Sequence, residues 1–274
     1  MTVSFLGLPF DANSSHLRGP ARAPEAIRQA LHASSSNEWT EDGVDLGAGE
    51  TLRDLGDLDL GEDTAQAYKA IEWACAEALG SGAPLICLGG DHSVTVPVVR
   101  CAHAREPNLT ILHFDAHPDL YEEFEGNRYS HACPFARIME EGLARRLVQV
   151  GIRTLNWHQY DQATRFGVEI ISMRNLNGLN GVRLSGPVYI SLDLDVLDPA
   201  FAPGVSHHEP GGMSVRDVVS AIQSLRVPIV AADIVEYNPA KDEDERTAMV
   251  AAKLLKEIAA AMLRKGAEPR ADWP

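Results

Sequence analysis

Three short stretches carry ionisable residues at spacings that could do metal chemistry: "GGDHS" (89–93), "DAHPD" (115–119) and "SLDLD" (191–195). Asp115, His117 and Asp119 occupy alternate positions, as do Asp193 and Asp195. Alternate residues of an extended segment share a face, so each set can converge on one point. His92 follows two glycines that let the backbone turn. Taken alone, "DAHPD" reads equally well as a solvated strand end. Two carboxylate-rich strand ends in one sheet would repel strongly without a counter-charge. The candidate set is His92, Asp115, His117, Asp119, Asp193 and Asp195, two imidazoles and four carboxylates. Four negative charges match two divalent cations. Carboxylate with imidazole favours Mn, Fe, Ni or Zn over Ca or Mg, and the lack of a thiolate argues against a structural zinc site. Two such metals about 3.5–4 Å apart can bind a water and lower its pKa toward neutrality, giving a hydroxide nucleophile.

The elements around these stretches say how they could be positioned. Short apolar runs rich in β-branched residues ("VSFLGLPF", "PLICLGG", "LTILHFDAH", "LVQVGIR", "GVEIISM", "PVYISLDLD", "IVAADIVEY") alternate with helical patterns. The latter include "APEAIRQALH", "TAQAYKAIEWACAEALG", "FARIMEEGLARRL" and a long closing helix, "DERTAMVAAKLLKEIAAAMLRK". Thr64 and Ser214 are the expected N-caps of two of them. The alternation predicts an α/β fold of three layers, α-β-α, around a mostly parallel sheet. Ligands of such sheets bind beyond the carboxyl ends of the strands. The polar clusters fall there: Asp91 and His92 after "LICLGG", the aspartates after "LTILHF" and "VYISL", and Glu236 after "IVAADIV". With no linker, repeat or low-complexity tract, residues 1–274 are expected to form a single domain.

A hydrophobic content of 45% suits a well-cored globular protein, and a net charge of -15 argues against a nucleic-acid or anionic-membrane partner. The four cysteines, Cys75, Cys87, Cys101 and Cys133, form no CxxC pair. No apolar run approaches the roughly 18 residues that span a bilayer, and the first residues lack a signal-peptide pattern. A cytoplasmic location is therefore expected.

The chain as a whole resembles the ureohydrolase superfamily of arginases, agmatinases and relatives. The resemblance rests on "SSHLRGPARAPEAIR" (14–28), "GGDHS", "DAHPDL", "YSHACPFARIMEEG" (129–142), "SLDLDVLDPAFAPGV" (191–205), "EPGGMS" (209–214) and "DIVEYNP" (233–239), in the family order over nearly the whole chain. The wording around "FEGNRYSHA" and "LDPAFAPGVSH" is most similar to the plant-type arginase branch. The resemblance implies a sheet of about eight parallel strands and a binuclear manganese centre, with Ni, Co or Zn as possible substitutes. It implies one metal on His92, Asp115, Asp119 and Asp193, and another on Asp115, His117, Asp193 and Asp195, with Asp115 and Asp193 bridging. By the same match Asp91 lies beside the metals, His131 shuttles a proton and Glu236 holds the substrate guanidinium.

The implied reaction is hydrolysis of a guanidino group to urea and a primary amine. Asn127, Ser130 and Asn156 match substrate-binding positions, with Arg128 on the same loop. The acidic "YEEFEG" loop fits agmatine; an arginine site needs donors for a carboxylate. Ala132 and the pair Cys133–Pro134 depart from the family pattern beside that loop. His207 and His208 read as loop residues near the mouth of the site. His16, His103, His113 and His158 read as structural, and Asp198 as ordering the turn before Pro199. The alternatives are a hydrolase of guanidinobutyrate or guanidinopropionate, a deacetylase-like amidohydrolase with one zinc, and a metal-dependent binding protein without activity. The expected partner is a small guanidino molecule, and the family pattern implies a homo-oligomer, trimer or hexamer.

Overall fold

The computed structural model describes residues 1–176 and 183–264. Its strands are β1 (Val3–Gly7), β2 (Leu52–Asp57), β3 (Leu85–Leu88), β4 (Thr110–Phe114), β5 (Arg146–Ile152), β6 (Glu169–Ser172), β7 (Val188–Asp193) and β8 (Ile229–Val235). They form one eight-stranded sheet in the order β2-β1-β3-β8-β7-β4-β5-β6, with every pairing parallel. The expected mostly parallel sheet of about eight strands is what is found.

The α-helices of the described residues are α1 (Ala23–Leu31), α2 (Thr64–Gly80), α3 (Thr95–Arg105), α4 (Pro134–Glu140), α5 (Trp157–Phe166), α6 (Val215–Ser224) and α7 (Arg246–Leu263). Successive strand residues feed opposite layers, as the period of two requires. Leu85 and Ile111 pack with Ile71 and Cys75 of α2 and Val98 of α3. Ile86 and Leu112 pack with Ile27 of α1, Ile222 of α6 and Leu254 of α7. Because both faces are covered, the central strands are apolar throughout: all seven residues of β8 are buried.

Three local expectations change. The edge strand β2, "LRDLGD", was not among the apolar runs; five of its six residues are exposed, so it shows no buried face to reveal it. The N-cap of α2 is Asp63, whose carboxylate accepts from the Gln66 amide at 2.8 Å, with Thr64 already in the helix. A carboxylate is the stronger acceptor at the positive end of the helix. The helix expected over "FARIMEEGLARRL" stops at Glu140, because Gly142 turns left-handed (φ 68°) and Arg146 begins β5. Ser214 caps α6 as read, in a reciprocal capping box with Asp217.

Strand order brings the site together. In sequence the relevant strands are β3, β4, β7 and β8; in the sheet they lie side by side as β3-β8-β7-β4. Their carboxyl ends therefore point four loops at one place.

Candidate metal centre

The carboxylates are aimed by tight turns just past the strands. β4 ends at Phe114, and Asp115 Oδ1 then accepts from the His117 amide at 2.5 Å. β7 ends at Asp193, whose Oδ1 accepts from the Asp195 amide at 2.8 Å as residues Leu194–Val196 coil into a 3-10 turn. Tight turns past the strand ends, rather than continued strand alternation, therefore set the direction of these carboxylates. Asp119 (φ 51°) and Glu236 (φ 63°) sit in the left-handed region, a conformation that costs a non-glycine residue about 1–3 kcal/mol and clusters at functional sites.

All six candidate ligands meet. His92 Nδ1 lies 3.3 Å from Asp115 Oδ2, 3.0 Å from Asp119 Oδ2 and 3.2 Å from Asp193 Oδ2. His117 Nδ1 lies 2.9 Å from Asp195 Oδ2 and 3.4 Å from Asp115 Oδ1. Asp115 thus faces both histidines, one oxygen to each.

Neighbouring hydrogen bonds set which ring nitrogen is free. Asp233 is fully buried and accepts from the hydroxyls of Ser191 (2.7 Å), Thr95 (2.7 Å) and Tyr189. Since the Ser191 hydroxyl donates to Asp233, its oxygen accepts from His92 Nε2 at 3.0 Å. The hydrogen of His92 is thereby on Nε2, and Nδ1 keeps its lone pair among the carboxylates. That Nδ1 atom is buried and makes no hydrogen bond despite three oxygens within 3.3 Å. Burial and the nearby Asp195 and Asp115 charges push the Asp193 carboxyl well above the usual carboxylate range, and burial pushes Asp195 up to about 6. An orphaned imidazole lone pair facing crowded carboxylates fits a divalent cation.

His113, read as structural, holds a carboxylate of this cluster: its Nε2 is 2.8 Å from Asp115 Oδ2. Gln149 Nε2 donates to Pro118 O (2.6 Å) and lies 3.0 Å from His113 Nδ1. The carbonyl fixes the amide's orientation, so His113 accepts at Nδ1 and donates from Nε2 to Asp115. Asp233, Ser191 and Gln149 were missed; a polar residue in an otherwise apolar buried strand was the available signal. Arg153 was missed too. It donates to the Asp195 carbonyl (2.7 Å) and the Glu209 carbonyl (2.6 Å), tying the loop after β7 to β5.

The cluster opens into a cavity of about 260 Å³ whose lining includes Ser15, Tyr121, Phe124, His131, His207 and Glu236. His131 Nδ1 is 2.8 Å from Glu236 Oε1, which also accepts from the His92 amide at 2.8 Å. Oε2 of Glu236 has no hydrogen-bond partner among the described residues. Burial opposes charge on His131, but Glu236 outweighs it and brings the ring up to about 9.

The other substrate candidates sit outside the lining. Asn127 donates to Asn13 Oδ1 (3.2 Å) and accepts from the Tyr129 amide (2.8 Å); Ser130 is buried. Asn156 caps α5 and reaches the Tyr121 hydroxyl at 2.5 Å. Arg128 pairs with Glu140 at 2.9 Å. His16 lies 5.3 Å from the His207 ring, His158 stacks on Tyr121, His103 bonds the Leu143 carbonyl, and His208 contacts the Pro203 carbonyl. Asp198 accepts from the Ala200, Gly211 and Gly212 amides, ordering the turn. Ala132 lines the cavity, and Cys133 is buried at the start of α4.

A carboxylate–histidine cluster that could hold metal at the carboxyl ends of a parallel sheet, with a hydrogen-bonded histidine and glutamate in the same cavity, has the make-up of an α/β hydrolase. The chain belongs to the arginase family, whose profile matches residues 1–261, and it is a hydrolase acting on guanidino compounds. It is 48% identical over 276 residues to arginase 1, mitochondrial, of Arabidopsis thaliana, covering 94% of this chain and 80% of that one. An arginase from Medicago truncatula superposes with a TM-score of 0.88 at 44% identity, over 95% of this chain and 87% of that one. A guanidinopropionase of Pseudomonas aeruginosa is 34% identical, over 94% and 86%. The expected cytoplasmic location does not stand, since relatives at 46–48% identity are named mitochondrial or chloroplastic arginases. Among the described residues no helix is long and apolar enough to cross a membrane.

Proposed function

We propose that this chain hydrolyses L-arginine to urea and a primary amine, with two divalent cations, manganese by the family pattern. His92, Asp115, Asp119 and Asp193 would hold one; Asp115, His117, Asp193 and Asp195 the other. When bound, the metal pair supplies an acidified water and spreads developing negative charge. The observation that carries the reading is the His131–Glu236 pair at 2.8 Å, in one cavity with Asp119, Asp193 and Asp195. Glu236 would take the planar guanidinium on its unengaged Oε2, a charge-assisted bond that fixes the reacting carbon. His131 would protonate the leaving amine, which cannot depart as an amide anion.

L-Arginine is placed first because the relatives at 46–48% identity are named arginases. Gln159 supports it: buried, lining the cavity, with its Oε1 held by the Leu120 amide and its Nε2 available to a carboxylate. Agmatine is the second reading, favoured by a cavity lining that includes Glu209 and, among the described residues, no Lys or Arg. Urea release with Mn²⁺ over arginine, agmatine, guanidinobutyrate and guanidinopropionate separates them. Arginine is expected to give the highest kcat/KM; a higher value for agmatine selects the second reading, and no urea from any substrate overturns both. We further read the chain as one ureohydrolase domain that forms a homo-oligomer, trimer or hexamer, which light scattering of the purified protein tests.

A further inference from the structure

Ser15, on the loop after β1, meets the far side of the His131 ring. Its backbone N–H donates to Nε2 at 3.1 Å, and its hydroxyl lies 2.8 Å from the same atom. Across the ring, Nδ1 is 2.8 Å from Glu236 Oε1. A carboxylate only accepts, so Nδ1 carries a hydrogen. An amide N–H only donates, so Nε2 presents a lone pair and the ring in this arrangement is neutral, although Glu236 favours its charged form.

A histidine that gains and loses a proton makes opposite demands at Nε2. The charged ring needs an acceptor there, and the neutral ring needs a donor. The Ser15 amide serves only the neutral ring. The hydroxyl can serve both, because it rotates between donating and accepting. We propose that Ser15 is a positioning residue of the reaction: its hydroxyl accepts from Nε2–H while His131 holds the proton bound for the leaving amine, donates to Nε2 once that proton has passed to the amine, and accepts again when the ring takes a proton from water. This rests on the reading of His131 as the proton donor.

The contact is built. Asp91, fully buried, accepts from the Asn13 amide (3.0 Å) and the Ser14 hydroxyl (3.3 Å), and its other oxygen accepts from the Ser93 amide (3.1 Å). The Asn13 carbonyl in turn accepts from the His131 amide at 3.1 Å. The Asp91 carboxylate therefore seats residues 13–15 and His131 as one unit. The charged and titratable groups around the ring are Glu236 after β8, Asp91 after β3, Asp119 after β4, His207 on the loop after β7, and His16 beside Ser15. None of them changes when Ser15 is replaced, so a shift on substitution belongs to the hydroxyl.

Ser15→Ala removes the hydroxyl and keeps the amide; Ser15→Thr restores a hydroxyl. In the Mn²⁺-loaded enzyme, Ser15→Ala is expected to lower kcat about tenfold or more with KM little changed. The alkaline limb of its kcat profile should move to lower pH, because the charged ring loses its acceptor. Ser15→Thr should recover most of both. A ¹⁵N titration of the His131 side chain in metal-free protein should give a lower ring pKa for Ser15→Ala than for wild type. An unmoved pH limb and ring pKa in Ser15→Ala, or a loss that Ser15→Thr does not recover, overturns the proposal. If wild type releases no urea from any guanidino compound, the parent reading fails, and the ring titration still decides the Ser15 assignment.

Discussion

At the scale of single residues, the site depends on which nitrogen of each histidine is free. Asp233, through Ser191, leaves His92 Nδ1 as a lone pair toward Asp115, Asp119 and Asp193. Ser191→Ala should then weaken metal binding about 10–100-fold, the usual effect of losing an orienting partner, with the fold intact; isothermal titration with Mn²⁺ measures it. An unchanged affinity would show that the tautomer is held by something else. Asp193→Asn should abolish urea release and lower manganese occupancy together. Activity surviving with full metal content contradicts the proposed ligand set. The types and spacing of these residues were legible in the sequence because carboxylates after apolar runs are costly without a partner. The roles of His113, Ser191 and Gln149 were not, because a buried hydrogen bond between strands leaves no trace in linear spacing.

At the scale of elements, the glycines of "GGDHS" matter through contact. A Cβ on Gly90 would lie 1.8 Å from the Phe10 carbonyl oxygen, and the Gly90 carbonyl accepts from the Glu236 amide at 2.9 Å. Neither backbone can yield without moving a site loop. Gly90→Ala is expected to destabilise the protein by about 1–3 kcal/mol and to lower kcat by displacing Glu236. Chemical denaturation and steady-state kinetics read the two effects; a variant normal in both would mean that the β3 and β8 loops are not braced against each other. The edge strand β2 shows what patterning cannot see, since an exposed strand needs no apolar face.

At the scale of the whole molecule, Glu41 joins a long loop to two helices. It pairs with Arg216 of α6 at 2.6 Å and with Lys253 of α7 at 3.1 Å. Arg216 above all, then Lys253 and Gln223, outweigh the effect of burial and hold its pKa at about 2, below the ordinary 4.5. A carboxylate whose pKa is depressed on folding contributes stability that is fully present above its unfolded value and lost as pH falls through the folded one. Glu41→Gln should therefore be less stable than wild type at pH 7, and the gap should narrow at pH 3. Urea denaturation at the two values tests this, and an equal gap at both rules out the ion pairs as its source.

The sequence by itself determined the layer architecture and the chemical inventory. Hydrophobic period and carboxylate clustering are local properties, readable wherever a strand ends. Only the tertiary structure decided how that inventory is used. The four loops meet because β3, β8, β7 and β4 are neighbours in the sheet while their segments are scattered along the chain. Asp233, Ser15 and Gln149 act through contacts between residues 36 to 116 positions apart, and such pairings exist only once the sheet has formed. "DAHPD" and "SLDLD" mark two carboxylate-rich strand ends; the order of the strands decides that both reach the same place.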